Sequence, residues 1–252
     1  MIDIEKAKEE FIEYTKNYNL EDINIKRKQM HSLRVMEISK KIAEYIGLSQ
    51  EDVKLAELIG LLHDIGRFEQ YSNYHTFRDD HSIDHGDYAV TILEKEIRKY
   101  IRTDEYDNII KVAIKNHNKY QIKENITDKE ELFSKIIRDA DKIDILDSIF
   151  TKFYKGKEEE IGKEIIFEED IQDFRKFKSI RTRKDREGQL YEIIVMLAFI
   201  FDINYQMSLK ILQEKDIINK ILNQFDFKDQ NTKILIEEIR NICNNYIKDK
   251  LK

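Results

Sequence analysis

Proline is absent from the 252 residues and glycine occurs only seven times. The two strongest helix breakers are thus all but missing, so long uninterrupted helices are permitted throughout, and an all-α fold is the first expectation. The single cysteine, Cys243, excludes an intramolecular disulfide and suits a reducing, cytoplasmic compartment. No apolar run approaches the roughly 20 residues that a bilayer crossing needs. The longest, residues 193–201 in "YEIIVMLAFIFD", reads as a core helix. The N-terminal "MIDIEKAKEEFIEY" lacks the basic start and apolar stretch of a secretory signal. Positive charge is not in excess either: 44 lysines and arginines stand against 50 aspartates and glutamates, a formal net charge of -6. That balance argues against a broad nucleic-acid surface or an anionic-membrane surface.

What is present is a mixture of 41% hydrophobic and 37% charged residues, which supports a buried core under a heavily charged surface. With no repeat and no low-complexity linker, the reading is one domain over residues 1–252, with a compact multi-helix core and a helical C-terminal extension over 155–252. The segment "MHSLRVMEISKKIAEYIG" places His31, Val35, Ile38, Ile42 and Tyr45 on one helical face, and Gly47 can end that helix. "SQED" at 49–52 resembles a capping box, opening a helix through Val53, Ala56, Ile59, Leu61 and Leu62 that is apolar nearly all round and is expected to stop at Gly66. "RFEQYSNYHTFRDDHSID" (67–84) lacks clean periodicity and reads as a loop with at most a short turn of helix. Asp84 can cap the next helix, on which His85, Ala89, Ile92 and Glu96 share a face. His117 follows Ile110 and Ala113 on another, and "KEELFSKIIRDADKIDILDSIF" reads as a further long helix interrupted by Asp139, Asp141, Asp144 and Asp147.

Four histidines, His31, His63, His85 and His117, therefore lie on or beside inward faces, each expected toward the end of its helix. A lone buried histidine is ordinarily satisfied by hydrogen bonds. Several imidazoles and a carboxylate buried together are costly unless a cation holds them, and a metal ion is the economical explanation. His63 and Asp64 are adjacent, about 100° apart on a helix, so both face a common ion only where the helix ends or the side chains reach around. Periodicity alone does not choose among Asp139, Asp141 and Asp144.

The order His31, then the His63-Asp64 pair in "HDIG", then "RDADKID" resembles the HD superfamily of metal-dependent phosphohydrolases over roughly residues 25–150. The resemblance implies His31, His63, Asp64 and Asp141 as ligands of a first divalent metal, with Asp141 selected by its place between Ala140 and Lys142. Some members hold two ions bridged by the aspartate of the pair, and here His85, next to Gly86, and His117 occupy the matching stretches. His81 is the alternative to His85. His75, in the same loop, reads as solvated or substrate-facing, and Asp139 and Asp147 as exposed helical ion pairs.

Mixed imidazole and carboxylate ligands suit Mn, Fe, Co, Ni or Zn and do not exclude Mg, and they leave the number of ions at one or two. The implied activity is hydrolysis of a phosphoester or phosphoanhydride, of a nucleotide above all, by metal-activated water, with Asp64 positioning the nucleophile. Arg67 and Lys142 are placed to neutralise phosphate oxygens, with an ion pair as the alternative for each. The basic run "RKFKSIRTRKDREG" (175–188) reads as a surface or as a phosphate contact over the cavity. Two other classes stay open: a di-iron oxygenase of a small polyol, which shares the ligand order, and a regulatory module whose metal site has decayed. The extension over 155–252 shapes the pocket, forms a homo-oligomer interface or covers the core. The partner implied is a small phosphorylated molecule, with neither membrane nor nucleic acid.

Overall fold

A computed structural model describes residues 2–148, 154–180 and 188–252. The fold is all-α: no strand occurs among the described residues, and none of their helices is long and apolar enough to cross a membrane. The chain divides into two compact units, Met1–Asp141 and Lys142–Lys252.

The first unit is built on α1 (Ile4–Thr15), α2 (Ile23–Tyr45), α3 (Gln50–Leu62), α4 (Gly66–Tyr74), α5 (His85–Tyr100), α6 (Asp107–His117) and most of α7 (Asp128–Ser148). Side-chain caps start several of them: Asp3 accepts from the Lys6 amide, Asp22 from Asn24, Ser49 from Asp52 and Asp84 from Asp87. The α2–α3 turn closes as a Schellman motif. The Leu48 amide donates to the Ala43 carbonyl, and the amide of Gly47, at φ +76°, donates to the Glu44 carbonyl. The left-handed backbone at that position is why glycine ends α2 there.

Helix α3 is central. It packs on α1, α2 and α6, and every residue from Leu55 to Leu62 is buried, as a helix apolar nearly all round requires. Two sequence expectations need correction around it. Helix α3 stops at Leu62, with His63 as its C-cap, and Gly66 does not end it but begins α4. The glycine is demanded by packing, since a Cβ there would stand 2.5 Å from the His85 carbonyl oxygen and 2.9 Å from the Ala89 amide nitrogen on α5. The stretch expected to be loop instead carries the nine-residue helix α4, followed by a 3-10 turn at Asp79–His81. Helix α4 buries Gly66, Phe68 and Gln70, and Phe68 meets Phe11 edge-on, with ring centroids 5.9 Å apart. Helix α2 also begins seven residues before Met30, so His31 sits mid-helix rather than near an end.

The second unit contains the end of α7, then α8 (Glu158–Ile161), α9 (Gln172–Arg175), α10 (Gln189–Leu197), α11 (Gln206–Glu214), α12 (Ile217–Leu222) and α13 (Gln230–Lys250). The apolar run at 193–201 does form a buried helix, α10 continued by a 3-10 turn at Ala198–Asp202. Helix α13 lays Leu235, Ile236, Ile239, Cys243 and Ile247 along one stripe, packed on α9, α11 and α12. In the basic run, Arg175 pairs with Glu238 and Glu168, and residues 181–187 lie outside the described residues.

The crowding at Gly66 predicts that Gly66→Ala destabilises the protein by about 1–3 kcal/mol, the range for overpacking a tight contact. Urea unfolding measures it, and a variant as stable as the parent would refute the close approach of α4 to α5.

Candidate metal centre

Six side chains of the first unit converge. His31 projects from the middle of α2, His63 from the C-cap of α3 and Asp64 from the residue beyond it. His85 is the first residue of α5, His117 the last of α6, and Asp141 comes from α7. The four imidazoles and Asp64 are buried. His31 Nε2 lies 3.2 Å from His63 Nε2 and 3.1 Å from Asp141 Oδ1. Asp64 Oδ2 is 3.4 Å from the first of these nitrogens and 3.6 Å from the second. Across the same carboxylate, Oδ1 is 3.4 Å from His85 Nε2 and 3.6 Å from His117 Nε2, which are 3.0 Å from each other. The donors form two sets sharing Asp64, one oxygen in each. Compact groups suited to an ion include His31, His63 and Asp141, and also His63, Asp64 and His117.

The protons of these rings are set by their far nitrogens. His63 Nδ1 is 2.8 Å from the Gly60 carbonyl oxygen and His117 Nδ1 is 2.6 Å from that of Ile114. His85 Nδ1 is 2.7 Å from Asp79 Oδ2. Carbonyls and carboxylates only accept, so each Nδ1 carries the hydrogen and, in a neutral ring, each Nε2 presents a bare lone pair to the centre. His85 Nε2 and His117 Nε2 thus face each other at 3.0 Å with no hydrogen between them, an arrangement that a cation relieves. The spacing fits one. Donors about 2.0–2.2 Å from an ion and about 90–110° apart around it are separated by about 2.9–3.6 Å.

Ionisation favours ligation too. Burial, assisted by Arg67, pushes the His85 pKa down to about 4 against the opposing pull of Asp79 and Asp64, and burial also lowers that of His63. For Asp64, burial works to raise the pKa, but the Lys28 ammonium 2.6 Å from Oδ2 outweighs it and holds the carboxyl well below its ordinary range. Asp141 behaves likewise, its burial outweighed by the contact of His31 Nε2 at 3.1 Å. At neutral pH the cage therefore offers neutral His63 and His85 imidazoles and two carboxylates, the forms a metal requires.

Other predicted residues fall as follows. Arg67 directs Nη1 to Gln70 Oε1, the Phe77 carbonyl and Asp79 Oδ1, and its Nε lies 3.5 Å from Asp64 Oδ1. Lys142 has its ammonium 2.7 Å from Asp202 Oδ2, so the ion-pair alternative describes it. His81 is exposed beside Asp80, and His75 caps α4 in the left-handed region, so His85 and not His81 faces the cage. Asp147 pairs with Lys215, whereas Asp139 is fully buried rather than exposed.

Three residues of the centre escaped the sequence reading. Lys28, one turn before His31, places its ammonium 2.6 Å from Asp64 Oδ2. The i, i+3 spacing on one helix face was the available signal. Asp79 supports His85 from a segment taken for loop. Arg138 of α7 donates to the carbonyls of Asn116, Lys119 and Tyr120, holding the C-terminal end of α6 where His117 stands.

The fold and this cage define an all-α protein with a buried histidine and aspartate centre able to hold divalent metal. Residues 29–146 match the family model described as HD domain, consistent with the superfamily of metal-dependent phosphohydrolases. No curated protein and no solved structure matches the chain.

The depressed His85 pKa has a consequence for stability. Between its value of about 4 in the folded protein and the ordinary 6.5, the unfolded chain binds a proton that the folded one refuses, so stability falls as pH drops through that window. The metal-free protein is expected to lose on the order of 3 kcal/mol from this group alone, with His63 acting in the same direction. Urea unfolding across that range measures the slope, and His85→Asn should flatten it.

Proposed function

We propose that the protein is a metal-dependent phosphohydrolase that cleaves a phosphoester or phosphoanhydride bond by metal-activated water, with a nucleotide as the substrate class. The observation that carries the reading is the division of Asp64, one oxygen with His31, His63 and Asp141 and the other with His85 and His117. Divalent ions held by such a donor set supply an activated water near neutral pH and neutralise charge on phosphoryl oxygens. Manganese, iron, cobalt, nickel and zinc suit these ligands, and magnesium is not excluded. The choice of a nucleotide rests on the family.

The chain's own cations complete the reading. Lys28 and Arg67 approach Asp64 from its two oxygens, and both lie over the ring of Phe77, at 5.3 and 5.8 Å from its centroid. In the structure each is drawn to the Asp64 carboxylate. With an ion bound to that carboxylate, the Lys28 ammonium would be available to a phosphate oxygen. Arg67 has less freedom, because Nη1 is committed to three acceptors. Its Nε, buried and without a hydrogen bond, is an N–H that could serve an oxyanion.

The test is phosphate release from a panel of phosphomonoesters and nucleotides by protein purified without chelator and loaded with each metal in turn. His63→Ala, Asp64→Ala and Asp141→Ala should each abolish turnover while keeping helical content. Lys28→Met should lower kcat/KM by about 10- to 100-fold, the effect of losing one charge-assisted contact of about 1.5–3 kcal/mol. Two irons per chain with dioxygen uptake and no phosphate release would overturn the reading in favour of an oxygenase, and protein that takes up no metal would leave only a binding module.

A further inference from the structure

Three of the central histidines show where their Nδ1 hydrogen goes, and one differs from the other two. His63 and His117 end their helices, so each can turn its ring back onto the carbonyl three residues earlier, Gly60 or Ile114. His85 begins α5 and has no preceding turn of its own helix to supply such a carbonyl. Its Nδ1 reaches outside the helix to Asp79, 2.7 Å from Oδ2 and 2.9 Å from Oδ1.

Asp79 is itself held on every side by donors. Oδ1 accepts from Gln70 Nε2 at 2.9 Å and from Arg67 Nη1 at 3.0 Å, and Oδ2 accepts from Asn118 Nδ2 at 3.1 Å. Gln70, fully buried, also donates to Ser82 Oγ and the Ile83 carbonyl, and Arg67 donates to the Phe77 carbonyl, so the 79–83 turn is fastened to α4. We infer that Asp79 is the positioning residue for the donor set of Asp64 Oδ1, His85 and His117: it keeps the His85 proton on Nδ1 and so keeps Nε2 bare. The set formed with His31, His63 and Asp141 is independent of it. The inference rests on the two-set reading of the cage under Proposed function.

The chemistry of the turn makes the assignment sharp, because every group facing Asp79 is a donor and only a carboxylate accepts from all of them. In Asp79→Asn one oxygen becomes an NH2. Placed where Oδ2 stands, it faces Asn118 and His85. Asn118 Oδ1 is buried without a hydrogen bond, so that amide can turn over and accept, giving up the bond its Nδ2 makes to Asp84 Oδ1 at 3.0 Å. The new NH2 then donates to His85 Nδ1, and the ring proton moves to Nε2, the atom that faces His117 and Asp64. Asp79→Ala leaves room for water to take the Nδ1 hydrogen, so the isosteric change is the more damaging of the two. A purely structural role predicts the opposite order.

The experiment is a binding isotherm for Mn²⁺ and Co²⁺, with metal counted per chain, on the full-length wild type, Asp79→Asn and Asp79→Ala. His31→Ala and His117→Ala serve as references for loss at one set or the other, and the thermal melt of each metal-free variant confirms folding. The expected result is an affinity loss of about 10- to 100-fold at the His117-dependent position in Asp79→Asn, a smaller loss in Asp79→Ala, and an unchanged His31-dependent position in both. Unchanged isotherms in both variants, equal weakening at the two positions, or a larger loss in Asp79→Ala than in Asp79→Asn would overturn the inference. Wild type that takes up fewer than two ions would instead count against the two-set reading, whatever the variants do.

Discussion

Bare lone pairs brought face to face, with carboxylates beside them, are the constraint on which the first unit depends. His85 Nε2 and His117 Nε2, both without a hydrogen, stand 3.0 Å apart, His63 Nε2 lies 3.2 Å from His31 Nε2, and carboxylate oxygens of Asp64 and Asp141 lie within 3.6 Å of His63 Nε2. Without a cation such a cluster repels itself and has left water to do so. In the structure Lys28 and Arg67 answer part of that cost by leaning on Asp64. A protein gains nothing in stability from this arrangement that an apolar core would not supply better. Its presence at the end of the buried α3 therefore points to function.

The scaffold meets the constraint mostly with helix ends. A histidine at a C-terminus can point its ring along the axis and lock Nδ1 on a carbonyl of its own last turn, as His63 and His117 do. A histidine at an N-terminus cannot, and needs a partner from another segment. Helix α4 provides it by turning the chain sharply at Gly66 and returning it through the 79–83 turn. The close contact of Gly66 with the His85 carbonyl and the reach of Asp79 to the His85 ring are two sides of one packing decision.

How much of this was legible in the sequence varies with the physics involved. Helices with strong apolar periodicity and explicit caps, such as α2, α3 and α5, could be read directly, as could Gly47 as a stop, because those signals are local. The six residues that converge here were named through the family resemblance, because periodicity places several histidines inward but does not choose Asp141 over Asp139 or Asp144. Helix α4 could not be read, since "RFEQYSNY" buries only Phe68, Gln70 and its first glycine, and its polar face has no clean period. Gly66 was mistaken for a stop because a glycine required by close approach of another helix looks, in one dimension, like one required by a turn. Asp79 and Arg138 were not legible for a related reason: Asp79 acts from an irregular turn and Arg138 across 18 to 22 residues, where spacing carries no message, and the i, i+3 spacing of Lys28 to His31 does not by itself show that its ammonium reaches Asp64, 36 residues on.

The two roles considered for Arg67, phosphate clamp and ion pair, are joined by its geometry. Nη1 holds the turn that carries Asp79, while the buried Nε, without a hydrogen bond, lies 3.5 Å from Asp64. A lysine could not do both, because a single ammonium lacks two separated, rigidly oriented N–H groups. The arginine after "HDIG" thus links the carboxylate shared by the two donor sets to the carboxylate that orients one of them. Under the proposed function, an anion drawing on its Nε would be coupled, through the same guanidinium, to the position of His85.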